Sequence, residues 1–93
     1  MEIKHKTDGK KGAFLLEKDG RQIGEMTYVF AGEHKFIIDH TQIEPGHEGE
    51  GLGKLLVNAA VGMAREKGLK IEPVCPYARH ILTKSEGYAD VLA

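Results

Sequence analysis

Three glycines at alternate positions, Gly49, Gly51 and Gly53, open an amphipathic run that continues Lys54-Leu55-Leu56, and the only cysteine, Cys75, stands directly before Pro76. Both arrangements concentrate positive electrostatic potential. Glycine lacks Cβ, so a chain built this way turns sharply and its backbone comes close to a ligand, while the first free N–H groups of the helix point into the loop. The natural occupant is an anion such as a phosphate or pyrophosphate. Pro76 has its φ set for a first helical position and lacks an N–H, which puts Cys75 at the N-cap of a helix. A thiol there meets the positive end of the helix dipole, with Arg79 one turn further on, and both favour thiolate.

Spacing sorts the phosphate-binding loops. A P-loop needs Gly, four residues, then Gly-Lys-Ser/Thr; counting back from Gly53-Lys54 puts Glu48 at the first glycine, and Leu55 replaces the hydroxyl that holds magnesium. The dinucleotide fingerprint G-x-G-x-x-G fails as well. Gly49-x-Gly51 leads to Lys54, and Gly51-x-Gly53 leads to Leu56. An empty glycine-rich turn between strand and helix is the remaining local reading.

The elements that position these residues are legible in the pattern. Residues 3–7 form a short strand, 8–12 a polar turn, and 13–18 a second strand. Asp19-Gly20 is a two-residue hairpin signal before a long β-prone run over 21–31. After a turn at Gly32-Glu33-His34, residues 35–43 carry Phe36-Ile37-Ile38, apolar on both faces, which predicts a central strand covered on both sides. Leu52, Leu55, Leu56, Ala59, Ala60, Met63 and Ala64 recur at helical spacing, and Gly68 stops that helix. Residues 70–74 form one more strand, limited by Pro73, and 77–84 a short helix before the tail. The order is β-β-β-β-α-β-α.

Length and charge bound the rest. The chain has 93 residues, and its 13 basic and 14 acidic side chains leave a net charge of −1, which gives no pull toward nucleic acid or an anionic membrane. One domain over 1–93 is expected. No apolar run approaches the ~20 residues of a membrane span, and the polar start is no signal peptide, so a cytoplasmic location is expected. A single cysteine forms no internal disulfide. The histidines His5, His34, His47 and His80 lack the spacing of a metal site and read as solvated surface, with His47 in the loop also able to meet a phosphate when protonated. Lys6, Lys10 and Lys11 form a small basic cluster at a hairpin tip.

From Ile43 to Leu56, with its apolar residue, Pro45 and spaced glycines, the chain resembles the coenzyme A loop of the GNAT superfamily of N-acetyltransferases, written Q/R-x-x-G-x-G/A. Pro73-Val74-Cys75-Pro76-Tyr77-Ala78-Arg79 is similar to the Pro-x-Cys-Pro-x-Ala-Arg pattern of a subgroup of small single-domain members. The resemblance covers nearly the whole chain. It implies an α/β fold, more narrowly α+β: a minimal GNAT core with a mixed, mostly antiparallel sheet and the usual N-terminal helices missing. Strands 35–43 and 70–74 would splay apart, with the pantetheine arm of acetyl-CoA in the opening and the helix after the loop starting there.

The implied cofactor contacts follow position by position. Backbone around Thr41, Gln42 and Ile43 would hold the thioester oxygen, and Glu48, Gly49, Glu50, Gly51, Leu52, Gly53 and Lys54 would form the pyrophosphate loop, with Cys75 and Arg79 on the opposite strand end. Glu48 takes the superfamily's Gln/Arg position and Glu50 lies beside it. Carboxylates near a pyrophosphate cost affinity unless they point away, so backbone amides, the helix N-terminus and Lys54 would carry the phosphates. Catalysis would draw on Cys75 and on a base, His40 or Glu44. An unperturbed thiol, pKa ~8.5, protonates a leaving thiolate; a depressed one accepts the acetyl group; and a small buried cysteine at a strand end does neither.

The expected function is acetyl transfer from acetyl-CoA to an amine, without metal. The alternative is a CoA or acyl-CoA binding module without turnover. The acceptor, whether small molecule, polyamine or protein amine, is open, and composition points to nothing beyond a monomer or weak dimer.

Overall fold

The computed structural model describes residues 1–47 and 49–93. Its elements are β1 (Glu2–Thr7), β2 (Lys11–Lys18), β3 (Arg21–Ala31), β4 (Lys35–Ile43), α1 (Leu52–Lys67), β5 (Lys70–Pro73) and α2 (Pro76–Lys84), followed by a short 3-10 turn at Glu86–Tyr88. The predicted order holds. The strands form one sheet in the order β1-β2-β3-β4-β5, antiparallel except for the β4–β5 pair. Asp19 and Gly20 both have positive φ, 53° and 78°, the geometry that lets a two-residue turn follow the twist of β2 and β3.

Two irregularities shape the sheet near its functional end. Tyr28 pairs with Ile38 but Thr27 pairs with His40, so Asp39 is an extra residue and β4 bulges there. The β4–β5 pairing runs only from Lys35↔Lys70 to Ile38↔Pro73. Beyond it, the N–H groups of Val74 and Cys75 both donate to the Ile38 carbonyl at 3.0 Å, and the chain turns away into α2. Residues 39–43 therefore pair with β3 alone. This is the expected splay.

Both helices lie on one face of the sheet and touch each other. The buried side of α1 is Leu52, Gly53, Leu56, Val57, Ala60, Val61, Met63 and Ala64. The predicted stripe is thus rotated: Leu55 is exposed and Ala59 half-buried, while Val57 and Val61 are inside. The reason is that α2, through Ala78 and Leu82, shares the same core and draws the buried face of α1 toward it. Each buried Leu or Val contributes roughly 1.5–3 kcal/mol. The expectation that β4 is covered on both faces is corrected for the same reason. Phe36 and Ile38 are buried beneath the helices, whereas Ile37 on the other face is half-buried, and no helix among the described residues lies over it.

The end of the chain is fixed against β5. Ile71 N–H donates to the Val91 carbonyl and Ala93 N–H to the Ile71 carbonyl, while Arg65 holds the Asp90 carboxylate with two bonds of 2.9 and 3.0 Å. His5 is exposed on β1, in keeping with its reading as surface, and also has two ring partners. Its ring stacks on Phe14 at 4.3 Å, and its Nε2 lies 2.5 Å from the Tyr28 hydroxyl. Tyr28 reaches it across Gly12, where any Cβ would overlap the phenol. No helix among the described residues is long and apolar enough to cross a membrane.

Candidate active site

Cys75 is the N-cap of α2, with extended backbone (φ −63°, ψ 125°) and Pro76 next, as the sequence requires. The residue is buried, 6% exposed, and its thiol donates to the Thr41 hydroxyl at 3.5 Å. Thr41 belongs to the part of β4 that has left β5, so this contact spans the opening between the strands. Burial pushes the Cys75 thiol up, but the Thr41 hydroxyl and the backbone N–H groups of Ala78, Tyr77 and Thr41 outweigh it and hold the thiol below its ordinary value. Arg79 was expected to share in this. Its Nε instead donates to the Pro73 carbonyl at 3.2 Å, which ties the strand end to the helix.

Tyr77 is the residue that sequence reasoning missed. Its phenol lies against α1 at Gly53, where an added Cβ would sit 2.2 Å from the hydroxyl oxygen. Gly53 is thus explained by the tyrosine rather than by a turn; its φ is not positive. Burial, and then the neighbouring Cys75, raise the Tyr77 pKa, so the phenol holds its proton more firmly than a free tyrosine does. The one available signal was local: Tyr77 is the second residue after the N-cap thiol, on the turn that faces the glycine loop.

The loop itself has the conformation that glycine spacing predicts. Gly49 and Gly51 have φ of 83° and 74°, and Gly51, the N-cap of α1, has no side-chain cap among the described residues. First-turn amides therefore open toward the loop with no acidic residue in that turn, and Lys54 is exposed beside them. Leu52 is buried and packs into the core. Glu50 is exposed, with Oε2 3.5 Å from His47 Nδ1, a nitrogen that has no hydrogen-bond partner among the described residues. The reading of Glu48 at the Gln/Arg position lies outside the described residues.

The two candidate bases are not brought to the thiol. His40 faces the side of the sheet away from Thr41, is exposed, and approaches Gln42 Oε1 at 3.3 Å. Glu44, half-buried after β4, has its carboxylate engaged by Arg21 at 2.5 Å. Ile43 is half-buried and packs against the core, and Gln42 is exposed. Among the described residues no group of histidine, cysteine and carboxylate side chains could hold a metal.

Diverging parallel strands, a helix starting at a glycine loop beside their opening, and a second helix capped by a thiol define the class: a GNAT-like acyltransferase fold. The particular family is equally clear, since the family described as GCN5-related N-acetyl-transferase matches residues 13–91, and the chain belongs to it. That family is one of acyl-CoA-dependent N-acetyltransferases. A GCN5-like protein from Staphylococcus aureus, solved in solution, is 34% identical, with 97% of this chain and 87% of that one covered and a TM-score of 0.72. The fold recurs in ribosomal-protein-alanine N-acetyltransferase from Brucella melitensis (20% identity, TM-score 0.67) and in an aminoglycoside acetyltransferase from an uncultured soil sample (16%, TM-score 0.72). This chain covers 62% and 59% of those two proteins, with 83% and 85% of its own length aligned. A search of curated protein sequences found no significant match.

Proposed function

We propose that this chain is an acetyl-CoA-dependent N-acetyltransferase. The observation that carries the proposal is the opening between β4 and β5, which begins at Ile38, is spanned by Thr41 and Cys75, and lies between the N-termini of α1 and α2. The residues fit the substrate. Left-handed Gly49 and Gly51, uncapped first-turn amides and exposed Lys54 suit a pyrophosphate, and the free edge of residues 39–43 offers backbone donors to a thioester oxygen.

In this reading the amine nitrogen attacks the thioester carbonyl carbon, an N–C bond forms, and the C–S bond breaks. The amine gives up one proton and the departing thiolate takes one. Tyr77 supplies the latter, because its raised pKa keeps the phenol protonated next to the glycine loop. A lowered pKa raises the share of Cys75 present as thiolate, the form that attacks a thioester, so an acyl-carrier role is the alternative route through the same opening.

An amide NMR titration of the labelled protein with acetyl-CoA, followed by intact mass measurement with an amine present, tests this. Expected are shifts concentrated over 49–55 and at Thr41 and Cys75, product formation, and no lasting mass gain on the protein. An acetyl adduct lost in Cys75→Ala would redirect the mechanism to the carrier. Binding without product would leave a CoA-binding module, and absence of shifts at millimolar ligand would end the proposal.

A further inference from the structure

The face of the sheet opposite the helices carries a trough of about 450 Å³ whose walls include Lys6, Lys11, Ala13, Thr27, Val29 and Asp39. Register explains it. Lys6 pairs with Ala13, Ala13 with Thr27, and Thr27 with His40, next to the bulge residue Asp39, so one row of residues crosses four strands. Small side chains at Ala13 and Thr27 leave the middle low. The ends carry opposite charge.

Neither charged end is neutralised by an ion pair. Thr27 Oγ1 donates to Asp39 Oδ1 at 2.6 Å, which orients the carboxylate, and Asp39 has no cationic partner among the described residues. Lys6 and Lys11 likewise lack an ion pair among them, although Lys4 and Lys35 on the same sheet have theirs. Asp8, also on the trough's wall, is occupied at the hairpin, where Oδ1 accepts from the Lys11 N–H at 3.3 Å. Lys6 stands three interstrand gaps from the β4 strand of Asp39, ~14 Å at the backbone, and Lys11 two gaps, ~10 Å, spans that a short extended chain with one charge at each end bridges.

Asp39 directly follows Ile38, whose carbonyl marks the parting of β4 and β5. A cation held by Asp39 therefore stands at the mouth of the opening, on the face away from Cys75. We propose that the trough is the acceptor subsite and that the acceptor is a small extended primary amine with a carboxylate at its far end, its ammonium on Asp39 and its carboxylate on Lys6 and Lys11. The assignment rests on the acetyltransferase reading above. A polyamine would place its second ammonium against two lysines, which selects against it.

The test is an amide NMR titration with aminocaproate, cadaverine and hexylamine in turn, each with and without acetyl-CoA. Aminocaproate is expected to shift Lys6, Ala13, Thr27 and Asp39 and to bind at least ~10-fold more tightly than cadaverine or hexylamine, a difference of about 1.4 kcal/mol. Asp39→Asn should remove that binding, and the double variant Lys6→Glu/Lys11→Glu should reverse the order toward cadaverine, with a dispersed spectrum showing that each variant is folded. Equal affinities, or an order unchanged by the double variant, overturn the proposal. If acetyl-CoA still shifts 49–55 in that case, the acceptor assignment alone falls; if aminocaproate fills the trough while acetyl-CoA shifts nothing, the assignment falls together with the acetyltransferase reading.

Discussion

The thiol of Cys75 and the hydroxyl of Thr41, 34 positions apart in the chain, meet at 3.5 Å across the gap where β4 has parted from β5. The contact joins the N-cap of α2 to the free stretch of β4 and is among the causes that lower the thiol's pKa. Thr41→Val keeps the shape and removes the hydroxyl. It should move the Cys75 titration upward, read by the ultraviolet absorbance of the thiolate against pH. An unshifted curve would leave the backbone N–H groups of Ala78, Tyr77 and Thr41 as the cause.

Tyr77→Phe removes the phenolic proton and little else. Acetyl transfer should fall in kcat by about 10²-fold or more, the range of a general acid, with KM for acetyl-CoA nearly unchanged. A variant of full activity would take Tyr77 out of the proton path and return that role to Cys75 or water.

Gly53 and Tyr77 compete for one volume, so Gly53→Ala should destabilise the fold by roughly 1–3 kcal/mol through forced displacement of the ring. The double variant Gly53→Ala/Tyr77→Ala should cost less than the sum of the single changes in urea unfolding. Additive values would mean that the two residues do not press on each other.

At Gly51 the surrounding space is open and the backbone is the constraint, with φ at 74°. Gly51→Val should cost about 1–2 kcal/mol of stability from the left-handed conformation, and more from a β-branched side chain. Acetyl-CoA affinity, measured calorimetrically, should drop along with it because the first-turn amides lose their aim. Retained affinity would mean that the loop does not hold the pyrophosphate.

His5 gives the fold a pH dependence. Burial, and then Lys67, lower its pKa below the ordinary 6.5, so the unfolded chain binds a proton more readily than the folded one. The resulting stability is fully present above the unfolded value and is lost as pH falls through 6.5 toward the lowered folded value. Urea midpoints should decline between about pH 8 and about pH 5, and His5→Gln should flatten part of that decline. A slope identical in the variant would assign the effect elsewhere.

Local chemistry determined most of the elements and the conformation of the glycine loop. Asp19-Gly20 fixed a hairpin, Gly51 and Gly68 bounded α1, and Pro76 placed Cys75 at an N-cap, because each depends on the φ a single residue tolerates. Only the tertiary structure decided which side chains meet. The one-residue bulge at Asp39 puts Asp39 and His40 on the open face and Thr41 beside Cys75, and no periodicity in the sequence announces an unpaired residue. Burial of α1 turned toward Val57 and Val61 because α2 packs on the same face, and Tyr77 reached Gly53 for the same reason. These are consequences of how two helices share one side of a sheet, a relation between distant segments that local propensity does not encode.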